Sequence, residues 1–129
     1  MNLEYLDQIE LAHSKIILES DQIVEIHFEN NFYFTLKESF EINETLSKIT
    51  KFVLHKIIVI AGDLSSSDSD SRNFASTKKA TDSILVMALV TKSLPQKLIA
   101  NFIVSFQKLL VPTRAFSKIE DAEKWLSKN

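Results

Sequence analysis

The chain has no cysteine, one glycine and two prolines in 129 residues. Without cysteine there is no disulfide, no thiolate metal site and no thiol nucleophile, and the composition fits a reducing compartment. A lone glycine, Gly62, cannot build a phosphate-cradling loop, where several glycines let backbone amides approach the anion. Walker and dinucleotide fingerprints are therefore absent. The nucleophile-elbow pattern fails for the same want of glycines. No apolar run approaches the ~20 residues that span a bilayer. The opening MNLEYLDQIELAHSK carries acids where a secretory signal has a basic start and an apolar stretch. No basic block stands out as a phosphate footprint: 15 Lys and Arg are outnumbered by 17 Asp and Glu, giving a net charge of −2. These absences imply a cytoplasmic protein with no nucleic-acid partner, no membrane insertion and no cofactor.

What is present is an ordinary globular composition, 45% apolar and 25% charged. The length fits one domain over residues 1–129. A domain of that size buries roughly two-thirds of its unfolded surface, enough for one real core.

The stretch from Ile84 to Leu126 is the most legible. ILVMALV reads as a buried strand and KSLPQKLIANFIVSFQKLL as a helix. VPTRAF reads as a strand and SKIEDAEKWL as a final helix. Ser93 with Gln96, and Ser117 with Glu120, match the capping-box spacing. Pro95 suits a first turn and Pro112 blocks further helix. Leu94, Leu98, Phe102 and Phe106 fall on one row, so that helix is deeply buried.

Earlier in the chain, 9–19 and 22–28 read as an antiparallel hairpin turning at Ser20-Asp21, and 32–34 as a short extended piece. Thr35 and Glu38 form another capping box. Ile42, Leu46, Ile49 and Val53 then recur at helical spacing as a face for the sheet. The β-branched run 57–61 predicts a central strand covered on both sides. The polar stretch 63–73 leads into a short helix over 71–79 with Phe74 and Ala75 inward.

Four constellations bear on chemistry. His13, His27 and His55 are scattered, which points to surface or strand-edge positions and not to a metal site. Asp63, Asp68 and Asp70 alternate with serines but lack the glycine and distal glutamate of a calcium loop. Ser65, Ser66, Ser67, Ser69 and Ser71 follow a central strand and precede a helix. A phosphate there would add about −1.5 to −2 charges near a helix N-terminus. A flexible polar loop is the plainer alternative. Phe102, Phe106, Phe116 and Trp125 are residues that could line an apolar ligand pocket, though such residues more often form core. No nucleophile–base pattern suggests an enzyme. The hydrophobic N-terminal strands could present an edge to a second copy, so a homodimer is open.

The run VTKSLPQKLIANFIVSFQK, then VPTRAF, then a last helix ending EKWL, resembles the small bacterial STAS-like domains. These are relatives of anti-sigma factor antagonists and are often grouped with CRAL-TRIO-type lipid carriers. The resemblance is fullest over residues 80–129, through Leu98, Ala100, Asn101, Phe102, Pro112, Phe116, Ala122, Trp125 and Leu126. It is looser over 20–62. It implies an α/β fold, a right-handed β-α superhelix. The sheet would be mixed and mostly parallel, of about five strands, with about four helices and an N-terminal β-hairpin. Signalling members are phosphorylated on a serine at the start of the helix after a central strand. The corresponding positions here are Asp68-Ser69 and Asp70-Ser71, with Arg72 and Asn73 where that family has small residues and glycine. The expected function is thus non-enzymatic: a protein–protein interaction or regulatory domain with an unknown protein partner. The alternative is a carrier or sensor of a small apolar or lipid-like ligand.

Overall fold

The computed structural model describes residues 7–20, 22–63, 66–92 and 110–129. Its centre is a sheet whose strands are β1 (Asp7–Glu10), β2 (Ser14–Ser20), β3 (Ile23–Phe28), β5 (His55–Ile60), β7 (Ile84–Val90) and β8 (Thr113–Phe116), side by side in that order. The first three pair antiparallel and the rest parallel. β4 (Tyr33–Phe34) and β6 (Ser66–Ser67) form a separate two-stranded parallel ladder. The helices among the described residues are α1 (Leu36–Thr50), α2 (Ser69–Ala75), α3 (Lys78–Thr81) and α4 (Ile119–Ser127). The architecture is therefore mixed α/β with an N-terminal antiparallel hairpin, as expected. Among the described residues the sheet has six strands where about five were expected; β1 is the addition. Asp7 and Glu10 are exposed on this edge strand, and charge there discourages edge-to-edge pairing.

β5 shows why the sheet forms. Ile57 and Val59 point to one face, where they meet Ile16, Val24, Ile26, Leu46 and Ile49. Ile58 points to the other, among Val86, Ala88, Val90, Phe116, Ala122 and Leu126. A strand apolar on both faces is stable only when both are covered, here by α1 and by α4. Each fully buried isoleucine contributes about 1.5–3 kcal/mol.

α1 starts where its capping box predicts. The Glu38 carboxylate accepts from the Thr35 amide at 2.7 Å and from its hydroxyl at 2.8 Å. Those two bonds hold the Glu38 carboxyl below its ordinary range. The helix stops at Thr50, earlier than the apolar spacing suggested. Lys51 and Phe52 take positive φ of 55° and 62°, and their amides turn back to the Lys48 and Ser47 carbonyls. Val53 lies past this stop and is 52% exposed, so it does not extend the buried face.

Three other expectations need correction. The hairpin turn falls one residue later than Ser20-Asp21, since Ser20 ends β2 and Gln22 carries a φ of 67°. The helix over 71–79 is two short helices, and Ala75 faces solvent while Phe74 packs edge-on against Phe40 at 4.8 Å. The final helix begins at Ile119 with Lys118 as its extended N-cap, and no side-chain bond caps it. Glu120 and Asp121 in its first turn complement the helix dipole instead. The helix expected over 92–110, with Phe102 and Phe106, lies almost wholly outside the described residues.

Candidate functional site

The carboxyl ends of β3 and β5 meet at one rim of the sheet. Gly62, just past β5, packs against the end of β3 so closely that a Cβ would sit 2.3 Å from the Glu29 carbonyl oxygen. The single glycine is thus needed for close backbone approach. Asn31, with φ of 55°, turns the chain after β3. Its amide donates to the Asp63 carbonyl at 2.8 Å, and the Asp63 amide donates to Asn30 Oδ1 at 2.8 Å.

Beyond Asp63, the segment entering α2 is tied down at several points. Ser66 and Asp68 amides donate to the Phe32 and Phe34 carbonyls, both at 3.0 Å. Asp68 caps α2 by accepting from the Ser71 amide at 2.7 Å. Arg72 donates from its guanidinium to the Ser67 carbonyl. The segment 66–72 is thus hydrogen-bonded to the Phe32 and Phe34 carbonyls and across the start of α2.

The structure separates the two serines singled out above. Ser69 and Asp70 are exposed in the first turn of α2. Ser71 is 7% exposed, and its hydroxyl bonds that of Ser39 on α1. Of the pair, Ser69 alone is open to a partner or a modifying enzyme.

An open groove of about 310 Å³ adjoins this rim, lined among others by Glu10, Lys15, His27, Glu29 and Asn30. Asn30 joins it to the Asp63 turn. The lining mixes both signs of charge, unlike the mostly apolar walls of a typical small-molecule pocket. Of the four residues expected to line an apolar pocket, Phe116 and Trp125 are described and lie side by side. Their rings pack on each other with centroids 5.7 Å apart, and Phe116 is buried. Phe102 and Phe106 lie outside the described residues.

The histidines depart from expectation. His13 is buried between Phe32 and Phe34, with both ring centroids at 5.7 Å. His55 is buried too, and its Nδ1 lies 2.7 Å from the Val53 carbonyl. Only His27 is half-exposed; it pairs with Glu25, a buried carboxylate on β3 at 2.8 Å. Spacing alone could not show this, because His13 sits in the β1–β2 turn, where Phe34 of β4 and Phe32 just before it arrive from later in the chain. No group of three metal-ligating side chains occurs among the described residues, and no described helix is long and apolar enough to cross a membrane.

Set beside known proteins, residues 16–129 match the model of one family, described as a domain of unknown function (DUF7793). No curated protein and no solved structure matches.

Proposed function

The chain belongs to DUF7793, a family of unknown function, and we propose that it is a STAS-like, non-enzymatic interaction domain that docks a protein partner on the rim around Ser69. What supports the STAS-like reading is the order of construction. An N-terminal hairpin is followed by parallel strands β5, β7 and β8, each added beyond the last. The observation that carries the docking site is the contrast at α2: Ser69 and Asp70 are exposed on a segment whose backbone is bonded to the Phe32 and Phe34 carbonyls. A preorganised polar surface loses little freedom on binding. Phosphate on Ser69 would stand in the first turn of α2, where negative charge is favoured, and would change the charge a partner meets.

The carrier of an apolar ligand has weaker support, since Phe116 and Trp125 fill space against each other. A pull-down from the native host with wild type, Ser69→Asp and Ser69→Arg tests the proposal. The partner should be recovered by the wild type and lost or exchanged in at least one variant. Identical recovery by all three would exclude the Ser69 rim as the docking site.

A further inference from the structure

The opposite end of the sheet carries a second surface, and we propose that it attaches to anionic lipid bilayers, with Phe52, Val53 and Leu54 entering the headgroup region. These three consecutive apolar residues form the loop between α1 and β5 and are 75%, 52% and 48% exposed. Leu85, the second residue of β7, is exposed beside the same end. Exposed apolar residues scattered singly are normal, but a contiguous cluster marks a contact surface.

Two costs coincide on Phe52. It is the most exposed of the large apolar residues described, and its φ of 62° lies in the left-handed region that glycine and asparagine occupy readily. Lys51 before it has a φ of 55°. Closing a helix in this way calls for glycine or a small polar residue. A bulky ring kept there, facing water, is a local strain of the kind found at functional positions.

Charge identifies the occupant. Between Glu44 and Asp63 the only charged residues are Lys48, Lys51 and Lys56. Lys56 donates to the Leu126 carbonyl at 2.7 Å, which brings the C-terminus of α4, with Lys124 and Lys128, to the same end. The acids at this end include Glu44, paired with Lys48 at 3.2 Å, Asp82, just before β7, Glu19, near the end of β2, and Glu123, beside Lys124 on α4. An apolar tip edged by lysines suits a bilayer surface: the tip leaves water while the lysine stems reach up to phosphate. This contact lies at the amino ends of the parallel strands, away from Ser69, and stands or falls independently of the docking proposal.

The test is co-sedimentation of the full chain with phosphatidylcholine vesicles, with and without phosphatidylglycerol. Wild type should partition about tenfold or more better onto the anionic vesicles. Phe52→Asn suits the backbone and should keep the melting temperature while losing most of that binding. Lys48→Gln with Lys51→Gln should abolish the preference for anionic lipid. The proposal is overturned if wild type ignores both vesicles or if Phe52→Asn binds as wild type does. It is also overturned if light scattering shows a dimer that Phe52→Asn dissolves, which would assign the loop to a second copy.

Discussion

Glu25 and His27 stand two residues apart on β3 with Oε1 and Nε2 at 2.8 Å, a pairing of a buried carboxylate with a half-exposed ring. Glu25 is 6% exposed, in register with Ile17 on one side and Ile58 on the other. Burial among isoleucines pushes a carboxyl upward. The bond from His27, helped by one from Glu19, outweighs this and holds Glu25 below its ordinary value of 4.5. The folded state therefore binds this proton less tightly than the unfolded chain. The resulting stability is fully present above the ordinary carboxylate range and fades as pH falls through it. Wild type should lose stability on acidification below about pH 5. Urea melts of Glu25→Gln across that range should show a flatter pH dependence. An equally steep loss in the variant would assign the acid sensitivity to other carboxylates.

Gly62 makes a sharper demand. The nearest atoms to an added Cβ are the Glu29 and Phe28 backbone, which no rotamer change can move. Gly62→Ala should cost about 1–3 kcal/mol or more, as for overpacking elsewhere. The melting temperature should fall by several degrees, and the amides of Asn31 and Asp63 should lose hydrogen-exchange protection. Wild-type melting would mean that the β3 and β5 ends can separate freely.

Ile49 and Val53 test where α1 ends. Both fit the same apolar row in the sequence, but Ile49 is buried against the sheet and Val53 faces water. Ile49→Ala should cost about 2–5 kcal/mol. Val53→Ala should stay within about 0.5 kcal/mol. Equal losses would place Val53 on the helix face after all.

The same pair shows what could be read from residues alone. Periodicity located α1, β5, β7 and the hairpin because apolar spacing reports directly which face is covered. It overran α1 because the stop is two left-handed residues, Lys51 and Phe52, neither of which is a conventional terminator. The polar run 63–73 marked the approach to a helix but not its start, which the Asp68 cap sets two residues earlier than expected. The burial of Ser71 was not legible, because its partner Ser39 lies 32 residues away on another helix. Burial set by a distant element leaves no local trace, which is also why His13 and His55 read as surface residues.

Ser69 and Ser71 therefore give opposite expectations for the same change. Ser69→Asp places a negative charge in the exposed first turn of α2. At that dipole end it should be neutral or stabilising by about 0.3–1 kcal/mol, although Asp68 already accepts from the Ser71 amide. Ser71→Asp puts a carboxylate into a nearly closed site, against the Ser39 hydroxyl and one turn from the Asp68 cap. Leaving such a group inadequately paired costs about 2 kcal/mol or more. Chemical denaturation of the two variants checks the contrast directly. Phosphorylation should then divide in the same way: a kinase acting on the folded domain would modify Ser69 and leave Ser71 untouched, read by mass spectrometry of tryptic fragments. Modification of Ser71 at a comparable rate would mean that α2 detaches from α1 in the folded domain.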